Sequence, residues 1–318
     1  MNFTIPVSIL KYLYPIDYNS KIVLLGSCFA ENIGDKFEYF KFQNTVNPFG
    51  IIFNPVSIEK LIYRTVNQEF FTEKDVFFHN EKWQSSEVHS QLSNENKDEL
   101  IANLNQILVD FYTQIQQASH IIITYGTSWV YRNKLSNEIV ANCHKVPQNQ
   151  FDKELLSIEI IEKSIQNTID LISKINPNCN IIFTVSPVRH IKDGFIENQV
   201  SKAHLLSSIY KVLQVPPSGA EGAYFPSYEI MMDELRDYRF YEADMLHPNQ
   251  QAIDYIWIKF FENYVSEKEF ATMNEVSSIQ RGLKHKPFNV NSESHQLFLK
   301  KLKDRIEKLS ENISWGVN

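Results

Sequence analysis

The run Ile22-Val23-Leu24-Leu25, closed by Gly26 and followed at once by Ser27 and Cys28, constrains this chain more than any other stretch. Four consecutive apolar residues read as a short strand buried on both faces. Beyond the turn, residues 30–40 set Ile33, Phe37 and Phe40 on one helical face. A strand that turns sharply into a helix brings the turn side chains to the helix N-terminus, where free N–H groups and the helix dipole stabilise negative charge. Ser27 and Cys28 are therefore candidate nucleophiles. The plainer alternative is that Ser27 caps the helix and Cys28 is a small buried apolar side chain.

The same rhythm recurs. Ile121-Ile122-Ile123-Thr124-Tyr125 ends at Gly126, and residues 180–185 end at Ser186-Pro187; Ala223-Tyr224-Phe225 offers a fourth strand. Helical spacing of apolar residues spans about 56–62, 95–117, 155–175, 197–214 and 250–264. Residues 72–92 read as paired strands or a loop excursion, and Trp129-Val130-Tyr131 with Ile139-Val140 as a small hairpin. Strands alternating with helices predict an α/β fold, an open parallel sheet covered on both faces. Sites in such sheets lie beyond the C-terminal strand ends. The segments Gly26-Ser27-Cys28, Gly126-Thr127-Ser128 and Ser186-Pro187-Val188-Arg189-His190 are expected to converge there.

With 318 residues the chain can bury a large core in one or two domains. A net charge of −7 argues against general nucleic-acid binding, and three cysteines without a CxxC pair indicate neither a disulfide framework nor a zinc ribbon. The N-terminal stretch has no basic start ahead of a long apolar core, and Lys11 interrupts its apolar run, which argues against a signal peptide. No window approaches 18 uncharged apolar residues, so no membrane partner is expected and a cytoplasmic, reducing location is the simplest reading. From about residue 266 the pattern changes: residues 281–308 carry eight Lys/Arg against three Asp/Glu, and Phe298, Leu302, Ile306 and Leu309 line one side of a helix. The expected division is a domain over 15–265 and a helical extension over 266–318 docked on it.

Asp244 and His247 stand three apart, just before the helix over 250–264. At that spacing in a turn the carboxylate can bond one imidazole nitrogen and leave the other facing a nucleophile. Arg189 and His190 follow a buried strand at its functional end, which favours substrate contact. Asn142 and His144 either line the site or are ordinary hairpin polar residues. His144, His190 and His247 lack a paired carboxylate at ligand spacing, so no metal is expected.

Seven segments carry a resemblance: GSCFA at 26–30, GTSWVYR at 126–132, NCHK at 142–145, FTVSPVRH at 183–190, YFPSYE at 224–229, DELRDYRFY at 233–241 and DMLHP at 244–248. Together they resemble the GSCFA family, which is similar to the wider SGNH (GDSL-like) hydrolases. That resemblance implies a three-layer α/β/α sandwich and a Ser/Cys–His–Asp hydrolase or acyl-transfer site without a cofactor, acting on an ester or thioester, with a small-molecule or carbohydrate-ester substrate. Laid on the GDS block without gaps, Cys28 takes the place of the nucleophile; Ser27 takes it if the turn is shifted by one. In the GxND block Ser128 stands where an oxyanion-hole asparagine is expected, with Asn142 as a substitute amide, and Gly50 would supply the backbone N–H of the middle block. The altered blocks also leave room for a different class, a lapsed hydrolase fold that binds a carbohydrate or protein partner.

Overall fold

The computed structural model describes residues 5–214 and 222–312. Strands in chain order are β1 (Lys21–Gly26), β2 (Gln43–Val46), β3 (Phe77–His79), β4 (Lys82–Gln84), β5 (His120–Tyr125), β6 (Trp129–Asn133), β7 (Ile139–Val140), β8 (Phe151–Leu155), β9 (Asn180–Val185) and β10 (Gly222–Phe225). The helices are α1 (Cys28–Tyr39), α2 (Pro55–Asn67), α3 (Lys97–Gln117), α4 (Ile158–Ile175), α5 (Phe195–Gln214), α6 (Ser227–Glu229), α7 (Gln250–Tyr264), α8 (Phe270–Leu283) and α9 (Glu293–Asn312).

Five strands form a parallel sheet in the order β10-β9-β5-β1-β2. The unbroken apolar runs are explained by a two-residue period that feeds two cores at once. Val23, Leu25, Ile121, Ile123, Ile181 and Phe183 face a layer built with α2, α3, α4 and α5. Ile22, Leu24, Ile122 and Ile182 face the opposite layer, where Phe37 of α1 and Trp257 and Phe260 of α7 pack. The fold is a three-layer α/β/α sandwich. After β2 the chain returns to the other side of β1 to lay down β5, so strand order reverses between β1 and β5. The crevice at such a reversal is where open α/β sheets bind ligands.

One feature departs from the sequence reading. The helical pattern expected from residue 155 begins only at Ile158; Phe151–Leu155 is instead β8, paired antiparallel with β6. The register sets Arg132 of β6 opposite Asp152, and its guanidinium reaches diagonally to Glu154 of β8, an ion pair at 2.6 Å. Residues 266–292, expected as part of a helical extension, contain α8, whose Met273, Val276 and Ile279 are buried. Leu302 and Leu309 of α9 are buried in the same core layer as α1 and α7, with Phe298 and Ile306 packed against it. Arg305 of α9 also forms a two-pronged ion pair with Glu275 of α8. Residues 313–318 of the expected extension lie outside the described residues.

Candidate active site

The turn after β1 is built by close packing. Gly26 has φ +131°, and a Cβ there would meet the Thr124 carbonyl oxygen at 2.1 Å, so only glycine fits between β1 and β5. The Gly26 N–H donates to Asn47 Oδ1 at 2.8 Å, and the Ser27 N–H to the Thr124 carbonyl at 3.1 Å. Ser27 is the N-cap of α1: its hydroxyl is buried and accepts from the Phe29 N–H at 3.3 Å. Cys28, the first helical residue, stays half-exposed. Burial, followed by the nearby Glu31 carboxylate, pushes the Cys28 thiol up, while the N–H groups of Cys28 and Phe29 and the Lys202 cation pull against that rise.

The Asp244–His247 turn forms a compact unit. Asp244 Oδ1 accepts from the N–H groups of Leu246 at 2.8 Å and His247 at 3.0 Å, and Oδ2 accepts from His247 Nδ1 at 2.6 Å. These donors hold the Asp244 carboxyl down at about 2, so it is ionised across the physiological range. With Nδ1 engaged, Nε2 is the nitrogen left for chemistry. The backbone N–H of Arg189 donates to the Leu246 carbonyl at 3.2 Å, joining this turn to the loop after β9. Next to it, His190 stacks on Phe53 with centroids 5.4 Å apart, and its Nε2 is buried without a partner. Burial, then the charges of Lys202 and His247, lower His190 to about 3, so it is neutral. Charge couplings run pairwise through this edge, from Cys28 to Lys202, from Lys202 to His190 and from His190 to His247.

The remaining expected residues fare differently. The Gly50 N–H is engaged in a turn with the Asn47 carbonyl at 2.7 Å, which takes it out of the role expected for it. Ser128 is fully buried, its N–H and hydroxyl both bonded to Ser201 of α5, because the tip of β5 is clasped by that helix. Asn142 caps its own turn by accepting from the His144 N–H at 2.8 Å. His144 is buried with Nε2 on the Ser85 carbonyl at 2.7 Å, far in character from a substrate-facing group. The Arg189 guanidinium lies over the Phe195 ring, 5.1 Å from its centroid.

Two residues escaped the sequence reading. Asn47, at the tip of β2, takes φ +43° and is buried, and its Nδ2 has no partner although Oδ1 grips Gly26. The signal was the Asn-Pro pair at the end of a strand, a position the parallel pairing puts beside β1. Lys202, in the middle of α5, is only 1% exposed and donates to the carbonyls of Gly126 and Ser186, each at 2.7 Å. Beside His190 opens a cleft of about 380 Å³ lined by Phe53, Thr127, Trp129, Tyr131 and Lys153, among others. Lys153 sits over the Trp129 and Tyr131 rings and pairs with Asp193.

Among the described residues no group of three or more His, Cys, Asp or Glu side chains could hold a metal ion. No described helix is long and apolar enough to cross a membrane. No curated protein matches the chain. Among solved structures, a carbohydrate esterase family 3 protein from Talaromyces cellulolyticus aligns with 8% identity and a TM-score of 0.37, covering 80% of this chain and 99% of that one. An acetyl xylan esterase from the rumen bacterium Butyrivibrio proteoclasticus aligns with 11% identity and a TM-score of 0.40, covering 84% and 65%. The model of the GSCFA family matches residues 21–260, and that of the GSCFA domain protein C-terminal domain matches residues 276–316. By the first of these matches, over three quarters of its length, the chain belongs to the GSCFA family.

Proposed function

We propose that this protein is an acyl hydrolase or acyltransferase that attacks an ester or thioester with Cys28. What supports the reading above all is the shared edge: a thiol at the first turn of α1 and an ionised Asp244 bonded to His247 Nδ1 at 2.6 Å, on a turn bonded to the loop after β9. His247 Nε2 takes the thiol proton, and the sulfur attacks the acyl carbon. The tetrahedral intermediate collapses as the imidazolium protonates the leaving alkoxide or thiolate. Water or another acceptor then attacks the acyl-thioester, its proton passing to His247, and the Cys28 thiol is restored.

Oxyanion stabilisation comes in this reading from the Cys28 N–H at the helix start and from the unpartnered Asn47 Nδ2. Asn47 takes the part that the sequence assigned to Gly50, Ser128 or Asn142. The ring faces of Phe53, Trp129 and Tyr131 in the neighbouring cleft suit a small-molecule or sugar ester. Turnover of short acyl esters, acetylated sugars and acyl thioesters tests the assignment, together with mass spectrometry of the quenched enzyme. An acyl group on Cys28 is the expected result. No turnover and no adduct on any of these classes, with sugars still binding, would leave a lapsed fold that serves as a binding module.

A further inference from the structure

Lys202 is the most deeply buried cation at the site, and no carboxylate among the described residues pairs with it. Among the described residues its Nζ donates to two backbone carbonyls, those of Gly126 and Ser186. These residues directly follow β5 and β9, the strands in register at Tyr125 and Val185. The preceding residue, Ser201, bonds Thr127 and Ser128 from the same turn of α5. One helical turn therefore clasps the tip of β5 and bridges it to β9, next to β1, the strand that leads into the Cys28 turn.

A neutral donor would satisfy two carbonyls as well as lysine does. Burying an amine to do so is costly unless its charge is used. The tip of β5 that Lys202 holds at Gly126 also accepts the Ser27 N–H at Thr124, which brings the start of α1 to the same edge; the titratable groups coupled to Lys202 are Cys28 from α1, His190 from the loop after β9 and Tyr228 from α6, whose ring centroid lies 5.5 Å away. Of these, only the thiol becomes an anion in the reaction. We propose that Lys202 is a positioning residue for the nucleophile, a buried cation that ties the β5 and β9 tips together and stabilises the Cys28 thiolate. The inference rests on the reading of Cys28 as nucleophile. When the Cys28 S–H proton leaves for His247, sulfur keeps the electron pair, and in the form in which Lys202 holds its proton the ammonium balances it. Burial brings Lys202 down to about 7 although the Cys28 charge opposes the fall, and the Lys202 cation in turn opposes the rise of the thiol, so each group supports the ionised form of the other.

Lys202→Gln separates the two duties, because the carboxamide can still donate to both carbonyls but carries no charge. Alkylation of Cys28 by iodoacetamide, resolved from Cys143 and Cys179 by peptide mass spectrometry, gives its ionisation profile without any substrate. The midpoint is expected to rise by about one pH unit or more, with reactivity at pH 7 falling about tenfold. A Lys202→Gln profile that superimposes on wild type would overturn the proposal. Should that variant not fold, ¹⁵N-lysine NMR of the wild type and Cys28→Ala serves instead: Lys202 should titrate lower without the thiol, and an unchanged midpoint would overturn the proposal equally. Ester turnover surviving in Cys28→Ala would instead remove the nucleophile assignment, while the coupling of Lys202 to Cys28 would remain measurable.

Discussion

The Arg189 N–H donates to the Leu246 carbonyl, and this single bond fastens the late Asp244–His247 turn to the loop that follows β9. It makes the last loop of the sheet domain a neighbour of residues some sixty positions earlier in the chain. The consequences for the nucleophile, the base and the surrounding histidines can each be measured.

Cys28→Ala is expected to abolish both turnover and formation of an acyl adduct, with little loss of stability, because the side chain is half-exposed and small. Ser27→Ala removes the N-cap of α1 and should lower stability by about 0.5–2 kcal/mol while leaving a protein that still alkylates at Cys28. Thermal unfolding beside a turnover assay separates the two. An inactive Ser27→Ala together with an active Cys28→Ala would move the nucleophile one residue upstream.

His247→Ala should reduce turnover by about 10²–10⁴-fold, the range for loss of a general acid–base group. Asp244→Asn should have a smaller but similar effect on kcat, because the amide no longer fixes the tautomer through Nδ1. Steady-state kinetics on the best ester found would decide it. A wild-type kcat in either variant would exclude this pair from catalysis.

His190 predicts an acid-labile fold. Its folded-state value lies at about 3 against an unfolded value near 6.5, so the unfolded chain takes up the proton first as pH falls. Stability is therefore undiminished above about pH 6.5 and declines as pH drops toward 3. His120 and His144 are lowered by burial as well and act in the same direction. In His190→Phe, which retains a ring against Phe53, urea midpoints measured from pH 7 to 4 should fall less steeply than in wild type. Parallel slopes would count against a buried neutral histidine here.

The C-terminal helix should behave as part of the body. Leu302→Ala is expected to destabilise the protein by about 2–5 kcal/mol, since the side chain is buried in the core layer shared with α1 and α7. Arg305→Ala removes a partly exposed ion pair and should cost only about 0–1 kcal/mol. Limited proteolysis should leave residues 293–310 protected in wild type; rapid cleavage there without change in unfolding would mean that the helix is not held.

Much of this protein was settled by local pattern. Apolar runs ending at Gly26, Gly126 and Ser186 marked the central strands, because a residue buried on both faces of a sheet must be apolar at consecutive positions. The spacing of Asp244 and His247 was enough to foresee their bond, since three residues of turn bring a carboxylate to a ring nitrogen. Other features were decided only when distant segments met. Phe151–Leu155 became β8 because β6 lay beside it, not because its own residues demanded a strand. Ser128 lost its freedom to Ser201, and Gly50 to the carbonyl of Asn47. Lys202 in a helix reads as a solvated charge until the fold closes α5 over the strand tips and removes the water around it. Periodicity records which side of an element is buried; what a polar atom finds there depends on elements far away in sequence, and hydrogen bonds and desolvation are set by those partners.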